Sequence, residues 1–213
     1  MNKVNTGVIG LGAMGVNHAR IYAELSQTKL IGVADIQKQK AKEVGEKFSA
    51  EWYTNYKNLL QKQEIDAVSI CVPTHLHAKV TMDAMNLGKH VLLEKPISSK
   101  LQDAIKIVKV AKKKKLKLMI GHVERFNPVV IKLKEIINKN ILGKVVSMSA
   151  KRVGPFPPAI RHEGVILDLA THDIDVFNFL IQSDVKKVFA EAQNEPEDLA
   201  NILLKFENNA IGY

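Results

Sequence analysis

The residues best equipped for chemistry lie in LDLATHDID, residues 167–175. Asp168 and His172 are four apart and Asp175 follows three later, so on a helix all three share one face. Three uses fit that pattern. Asp168 and His172 could be a catalytic pair. His172 and Asp175, with Asp168 or His162, could offer nitrogen and oxygen ligands to a metal. They could also be the polar face of a solvated helix. No second cluster of histidines supports the metal, and the expectation is a site without one. The stretch by itself does not choose between the other two.

A second set is Gly10-Leu11-Gly12-Ala13-Met14-Gly15. A GxGxxG motif alone is weak, but this one follows an apolar strand pattern and opens a helical one. Asp35 ends the next strand, twenty residues past Gly15. That context is the dinucleotide-binding fingerprint. Gly10 permits a tight turn, Gly12 lets the backbone approach a pyrophosphate, and Gly15 allows close helix–strand packing. The helix N-terminus offers unpaired N–H groups to the phosphates. Asp35 would accept from the adenosine ribose hydroxyls and repel a 2′-phosphate, which favours NAD over NADP. Lys38 and Lys40 could soften that repulsion.

Two further stretches end strands. VLLEKP (91–96) puts Glu94 and Lys95 at the carboxyl end of a parallel strand, where such sheets bind ligands. Pro96 then forces an extended or turn conformation. A lysine there could stabilise a developing alkoxide, although by position alone it is equally an exposed strand-end lysine. PTHLHAK (73–79) ends the preceding strand. Thr74 or His75 could cap the next helix, and His77 could reach the cofactor or be structural. Pro73, Thr74, His77, Glu94 and Lys95 thus join Gly10, Gly12, Ala13, Met14, Gly15 and Asp35 as the expected cofactor-binding set.

These residues need a scaffold, and the chain alternates strand and helix patterns up to residue 123. Strands are expected at 3–10, 29–35, 51–53, 66–72, 90–95 and 117–123, with helices near 13–25, 37–48, 57–62, 77–88 and 99–115. Short connections between alternating elements build a doubly wound α/β domain on a parallel sheet. From residue 124 the pattern changes. A helix is expected at 127–140, a strand at 145–153, a proline-rich loop, a helix at 165–181, and strands at 186–193 and 199–207. This predicts an α+β second domain, 124–213, with a mainly antiparallel open sheet beside a Rossmann domain, 1–123. A new strand begins near Ala210. A sheet stopping there would leave an open edge, so a longer parent chain, with an incomplete second domain here, is expected.

Composition bounds the partners. Cys71 is the only cysteine, which excludes an internal disulfide and suits a reducing cytoplasm. It lies in the apolar run AVSICV and reads as an inert core thiol. No apolar run is long enough to span a membrane. The net charge of +9 raises nucleic acid as a partner. However, the densest basic run, Lys112–Lys115, falls at a helix end without interleaved aromatics, so none is expected.

Taken together, GVIGLGAMG, ADI, PTHLHA, GKHVLLEKP, GHVERFNP and GVILDLATHDIDV resemble the glucose–fructose oxidoreductase/inositol dehydrogenase family (Gfo/Idh/MocA), in family order from residue 7 to about 180. The resemblance implies a Rossmann fold with a second α+β domain, NAD, and hydride transfer from a secondary hydroxyl. It places the hydroxyl-binding role on Lys95, the acid–base role on His172 and its support on Asp168. It also implies a homo-oligomer at full length. A narrower resemblance, in GHVERFNP and RVGPFPPAIRHEGVILDLATHDID, is to sugar-nucleotide dehydrogenases of the family. It implies oxidation at C3 of a UDP-linked amino sugar. Arg125, Arg152 and Arg161 are then candidate diphosphate partners, because guanidinium binds phosphate bidentately. Surface salt bridges would use the same arginines equally well. A free polyol or simple sugar is the alternative substrate, and a non-catalytic nucleotide-binding protein or an inactive fragment the alternative function.

Overall fold

The protein is described here by a computed structural model, which covers residues 3–154 and 164–213. Arg161 and His162 lie outside the described residues. The chain forms two compact units, Met1–Gly121 and His122–Tyr213.

In the first unit, six strands form one sheet: β1 (Val4–Ile9), β2 (Thr28–Ala34), β3 (Glu51–Tyr53), β4 (Ala67–Ile70), β5 (His90–Leu93) and β6 (Leu118–Ile120). The order is β3-β2-β1-β4-β5-β6 and every pairing is parallel. Five helices connect them: α1 (Ala13–Glu24), α2 (Lys38–Lys47), α3 (Tyr56–Leu60), α4 (Thr74–Asn86) and α5 (Leu101–Lys114). Successive strand residues face opposite sides of a sheet, and the core divides accordingly. Val8 and Val33 pack with Ala19, Ala41 and Val44 in one cluster. Their neighbours Ile9 and Ala34 pack with Val80, Ala84, Ile107 and Ala111 in another. Both faces are therefore covered, which is why these strands read as continuous apolar runs. The strand order reverses between β1 and β4, and ligands of such sheets bind at the carboxyl ends beside that switch.

The second unit begins with a 3₁₀ turn, Val123–Phe126, and α6 (Pro128–Asn138). Asn127 caps α6 by accepting the Val129 N–H at 3.0 Å, with proline in the first turn. A π-helical turn, Ile166–Ala170, runs into α7 (Thr171–Ile181). Strands β7 (Ser147–Met148), β8 (Val185–Gln193), β9 (Leu199–Phe206) and β10 (Ile211–Gly212) form a sheet in the order β7-β10-β9-β8. It is antiparallel except where β10 meets β7. Its core is Phe177, Ile181, Leu204, Phe206 and Ala210.

Three expected elements are shorter or divided. The strand expected at 145–153 shrinks to Ser147–Met148, because its ladder partner, β10, is only two residues long. The strand at 117–123 ends at Ile120, opposite the last residue of β5, and Val123 enters the 3₁₀ turn. The helix at 165–181 starts as a π turn, which a 3.6-residue periodicity does not register.

Candidate active site

The glycine turn after β1 fits a dinucleotide. Gly10 has φ +86°, and a Cβ there would sit 2.6 Å from the Cys71 carbonyl oxygen. A Cβ on Gly15 would overlap the Gly10 carbonyl. Both glycines are dictated by packing within the protein itself. Gly12 differs: a Cβ there would meet nothing within 4 Å. Gly12 is also the N-cap of α1, and no side chain caps that end. The first turn of α1 thus keeps its N–H groups available beside open space, with Ala13 and Met14 on the exposed rim. This is the cradle a pyrophosphate requires.

Asp35 follows β2, half-buried. Its Oδ2 accepts the Leu11 N–H at 2.8 Å and its Oδ1 the Gln37 N–H at 2.8 Å. The carboxylate therefore bolts the glycine turn to β2. Each oxygen retains a second lone pair for a ribose hydroxyl.

At the end of β4, two expectations change. α4 starts at Thr74, three residues before the helix expected at 77–88, with Pro73 at its N-cap position. His77 is only 1 % exposed. Its Nδ1 lies 2.7 Å from the Pro96 carbonyl oxygen and its Nε2 2.9 Å from that of Val72. The ring is a strut between α4 and the chain after β5, which withdraws it as a direct cofactor contact.

Glu94 and Lys95 follow β5. Lys95 is half-buried and Glu94 is 8 % exposed. Burial pushes the Glu94 carboxyl up, but the hydrogen bond and charge of His18 and the Lys95 N–H pull it further down, so it ends below its ordinary value. His18 Nε2 lies 3.0 Å from Glu94 Oε1, and its Nδ1 lies 2.9 Å from Ser69 Oγ. Sequence reasoning missed His18, a lone histidine in α1 whose partner is 76 residues away. Burial and the Glu94 charge push the Cys71 thiol up, away from nucleophilic chemistry. His18, Cys71 and Glu94 offer atoms within 4.8 Å of one another. Both His18 nitrogens are already hydrogen-bonded, to Glu94 and to Ser69.

In the second unit, Asp168 sits on the π turn and His172 in the first turn of α7, both half-buried. The turn is pinned at both ends. The Thr171 hydroxyl donates to the Leu167 carbonyl at 3.0 Å. Glu197 accepts the Ile166 N–H on its carboxylate at 3.2 Å and the Val165 N–H on its carbonyl at 2.9 Å. Asp175 is buried and takes Arg125 bidentately, at 2.7 Å from Nε and 2.6 Å from Nη2. Asp173 takes Arg152 the same way, at 2.6 and 3.0 Å. Each carboxylate, the leading cause, raises its arginine's pKa further. With Asp175 committed to Arg125, a metal shared by Asp168, His172 and Asp175 loses one ligand. Two of the three arginines expected to meet phosphate are paired with α7 instead of standing alone.

Residues 4–122 match the family described as "Oxidoreductase family, NAD-binding Rossmann fold" (GFO_IDH_MocA), and residues 130–213 match "GFO/IDH/MocA C-terminal domain". The chain belongs to the Gfo/Idh/MocA oxidoreductase family. Its first unit is therefore the family's NAD-binding Rossmann fold. Among its Gfo/Idh/MocA relatives, a UDP-N-acetylglucosamine 3-dehydrogenase of Acidithiobacillus ferrooxidans is 34% identical over 99% of this chain and 66% of its own length. A myo-inositol 2-dehydrogenase of Thermotoga maritima is 29% identical over 97% of this chain and 66% of its own. The crystal structure of the Acidithiobacillus enzyme GnnA superposes with a TM-score of 0.87 at 32% identity, covering all of this chain and 68% of that one. The chain thus spans about two thirds of the length of these relatives. Among the described residues, no helix is long and apolar enough to cross a membrane.

Proposed function

We propose that the protein is an NAD-dependent dehydrogenase that oxidises a secondary hydroxyl of a sugar, at C3 of a UDP-linked amino sugar. The observation that carries the oxidoreductase reading is the glycine turn. It is open at Gly12, uncapped at the start of α1 and bolted to Asp35, in a chain that also bears Lys95 and the Asp168–His172 pair. Bound NAD supplies the hydride acceptor. Lys95 donates a hydrogen bond to the substrate oxygen and stabilises its developing negative charge. His172 takes the hydroxyl proton, and Asp168 stabilises the resulting imidazolium. Pro73, Thr74 and Glu94 shape the backbone around the cofactor. Asp35 favours NAD over NADP.

The sugar-nucleotide reading rests on the 34% identity to an enzyme of that name and on Arg125, Arg152 and Arg161 as diphosphate partners. A free polyol is the second reading, favoured by the 29% identity to a myo-inositol dehydrogenase. We place the protein in the cytoplasm on its single cysteine, and as a homo-oligomer on the exposure of Val188 and Phe189, 63% and 62%, on β8. Reduction of NAD, followed at 340 nm with UDP-N-acetylglucosamine, myo-inositol and glucose, separates the substrates. Lys95→Met and His172→Asn should each abolish turnover while NAD binding survives. Near-wild-type rates in both variants refute the assignment of roles. NAD binding without turnover of any sugar supports a regulatory protein instead.

A further inference from the structure

We propose that His18 is a positioning residue for Lys95, acting through Glu94. The proposal rests on the reading that Lys95 holds the substrate oxygen.

The hydrogen-bond chain around His18 is fixed at its Glu94 end. Glu94, with its carboxyl held below its ordinary value, is ionised at neutral pH and can only accept. His18 Nε2 must therefore carry the hydrogen it shares with Oε1. On the other side of the ring, Nδ1 is hydrogen-bonded to the Ser69 hydroxyl across 2.9 Å. The Ser69 oxygen is in turn hydrogen-bonded to the Tyr22 hydroxyl at 2.7 Å. Burial pushes the Tyr22 pKa up, which keeps that hydroxyl protonated. Tyr22, Ser69, His18 and Glu94 thus form one continuous chain. The chain ties α1, the helix that carries the dinucleotide turn, to β4 and to the end of β5.

Glu94 converts that anchoring into an effect on Lys95. Its second oxygen, Oε2, accepts the Lys95 N–H at 3.3 Å. On another side a Cβ at Gly121 would stand only 3.2 Å from the carboxylate, so the group packs directly on backbone after β6. His18 holds one oxygen, Gly121 limits the space, and the remaining oxygen fixes the backbone from which the lysine projects. Without His18, Oε1 loses its donor in a buried place, and the carboxylate must seek another partner. The Lys95 backbone then loses its fixed acceptor.

The test uses the full-length protein with NAD. His18→Leu keeps bulk and removes the donor. His18→Gln keeps a donor that reaches Glu94. His18→Leu should lower kcat about tenfold or more, since small misplacements of a reacting group are costly, with the NAD Kd within about twofold and KM nearly unchanged. His18→Gln should recover most of that loss at equal melting temperature. A merely structural histidine would lower the melting temperature of both variants and leave kcat per folded molecule intact. Unchanged kcat in His18→Leu, or a Gln variant no better than Leu at equal stability, overturns the proposal.

A second readout needs no turnover, so it stands even if no sugar is oxidised. Lys95 is trapped with pyridoxal phosphate and borohydride and quantified by peptide mass mapping, with the exposed Lys106 of α5 as control. A labelling rate at Lys95 changed threefold or more in His18→Leu, with Lys106 constant, supports the proposal. An unchanged rate at Lys95 overturns it. If His18→Leu does not fold, Tyr22→Phe, which deletes only the outermost hydroxyl, carries both readouts. A two- to fivefold fall in kcat or the same shift in Lys95 labelling is then expected, and no change in either refutes the proposal.

Discussion

Two glycines of one turn should fail in opposite ways. At Gly10 an alanine would keep φ +86° and press its Cβ to 2.6 Å from the Cys71 carbonyl oxygen and 2.9 Å from the Val72 nitrogen. Backbone at the end of β4 cannot rotate aside as a flexible side chain could. Left-handed backbone costs a non-glycine residue about 1–3 kcal/mol. Overpacking adds about 1–3 kcal/mol. Gly10→Ala should therefore destabilise the protein by about 2–6 kcal/mol, and lower its melting temperature by roughly 5–20 °C at this chain length. At Gly12 the φ is −64° and the added Cβ meets no atom within 4 Å. Gly12→Ala should change stability by no more than about 1 kcal/mol, the scale of the N-cap preference of glycine over alanine. Its cost should appear only with ligand, because the methyl group stands where phosphate must approach. Losing one charge-assisted hydrogen bond to the α1 amides is worth about 1.5–3 kcal/mol, or a roughly 10- to 150-fold weaker NAD Kd. Urea titration reads the first effect and calorimetric titration with NAD the second. A Gly12→Ala protein as unstable as Gly10→Ala, or one that binds NAD at wild-type strength, refutes this account of the turn.

Other consequences follow from the same geometry. Asp35→Ser should cut the preference for NAD over NADP tenfold or more in direct titrations, and cost about 1 kcal/mol of stability through the lost Leu11 and Gln37 bonds. Arg125→Met leaves the buried Asp175 carboxylate without its fork. Breaking a buried pair costs about 3–5 kcal/mol, discounted here to about 2 kcal/mol because the arginine is 44% exposed. Arg152→Met, whose pair joins an exposed arginine to a half-buried Asp173, should cost no more than about 1 kcal/mol in the same urea titration. Because the Glu94 carboxyl is held below its unfolded value, its contribution is fully present above the unfolded carboxylate range. It is lost as pH falls through the depressed folded value. Glu94→Gln should therefore flatten the acid limb of the melting-temperature profile, and an unchanged limb counts against the His18 bond.

How far the sequence could be read depends on the range of the interactions. Gly10, Gly12, Gly15 and Asp35 were legible because the fingerprint is local: strand, turn, helix and next strand are consecutive, and the glycines answer to backbone geometry inside that unit. The parallel sheet was legible for a similar reason, since buried strands joined by short helices leave few alternatives. What escaped was pairing between distant residues. Asp35 looked like a ribose acceptor only, yet it also bolts the turn through Leu11. His77 could be read as a cofactor contact or as structural, and nothing local shows that the chain after β5 brings the Pro96 carbonyl to it. His18 and Glu94 are 76 residues apart, and nothing in α1 marks that histidine as the one facing β5. The π turn escaped because it changes the helical repeat over five residues without changing which residues are apolar.

The stretch LDLATHDID shows what those long-range pairings decide. By spacing alone its acids are interchangeable members of one helix face. In the folded chain they are not. Asp175, 50 residues from Arg125, is buried under a bidentate guanidinium, and Asp173 reaches back 21 residues to Arg152. Those two pairings hold α7 to the segments that precede it. Asp168 is set apart from them by the π turn, whose ends are fixed by Glu197 and Thr171. The same face therefore divides into two arginine anchors and the Asp168–His172 pair. That division fits the acid–base role proposed for His172 with Asp168, and makes Arg125 and Arg152 available to a phosphate only if it competes with a carboxylate already in place. Substrate diphosphate binding should then be weaker at the Arg125 pair, which is shielded by burial of Asp175, than at Arg152, where Asp173 is more exposed. Replacing Asp173 with asparagine should accordingly tighten binding of a nucleotide diphosphate sugar, whereas Asp175→Asn should chiefly destabilise the fold. Equal effects of the two substitutions on affinity would remove Arg152 from the substrate site.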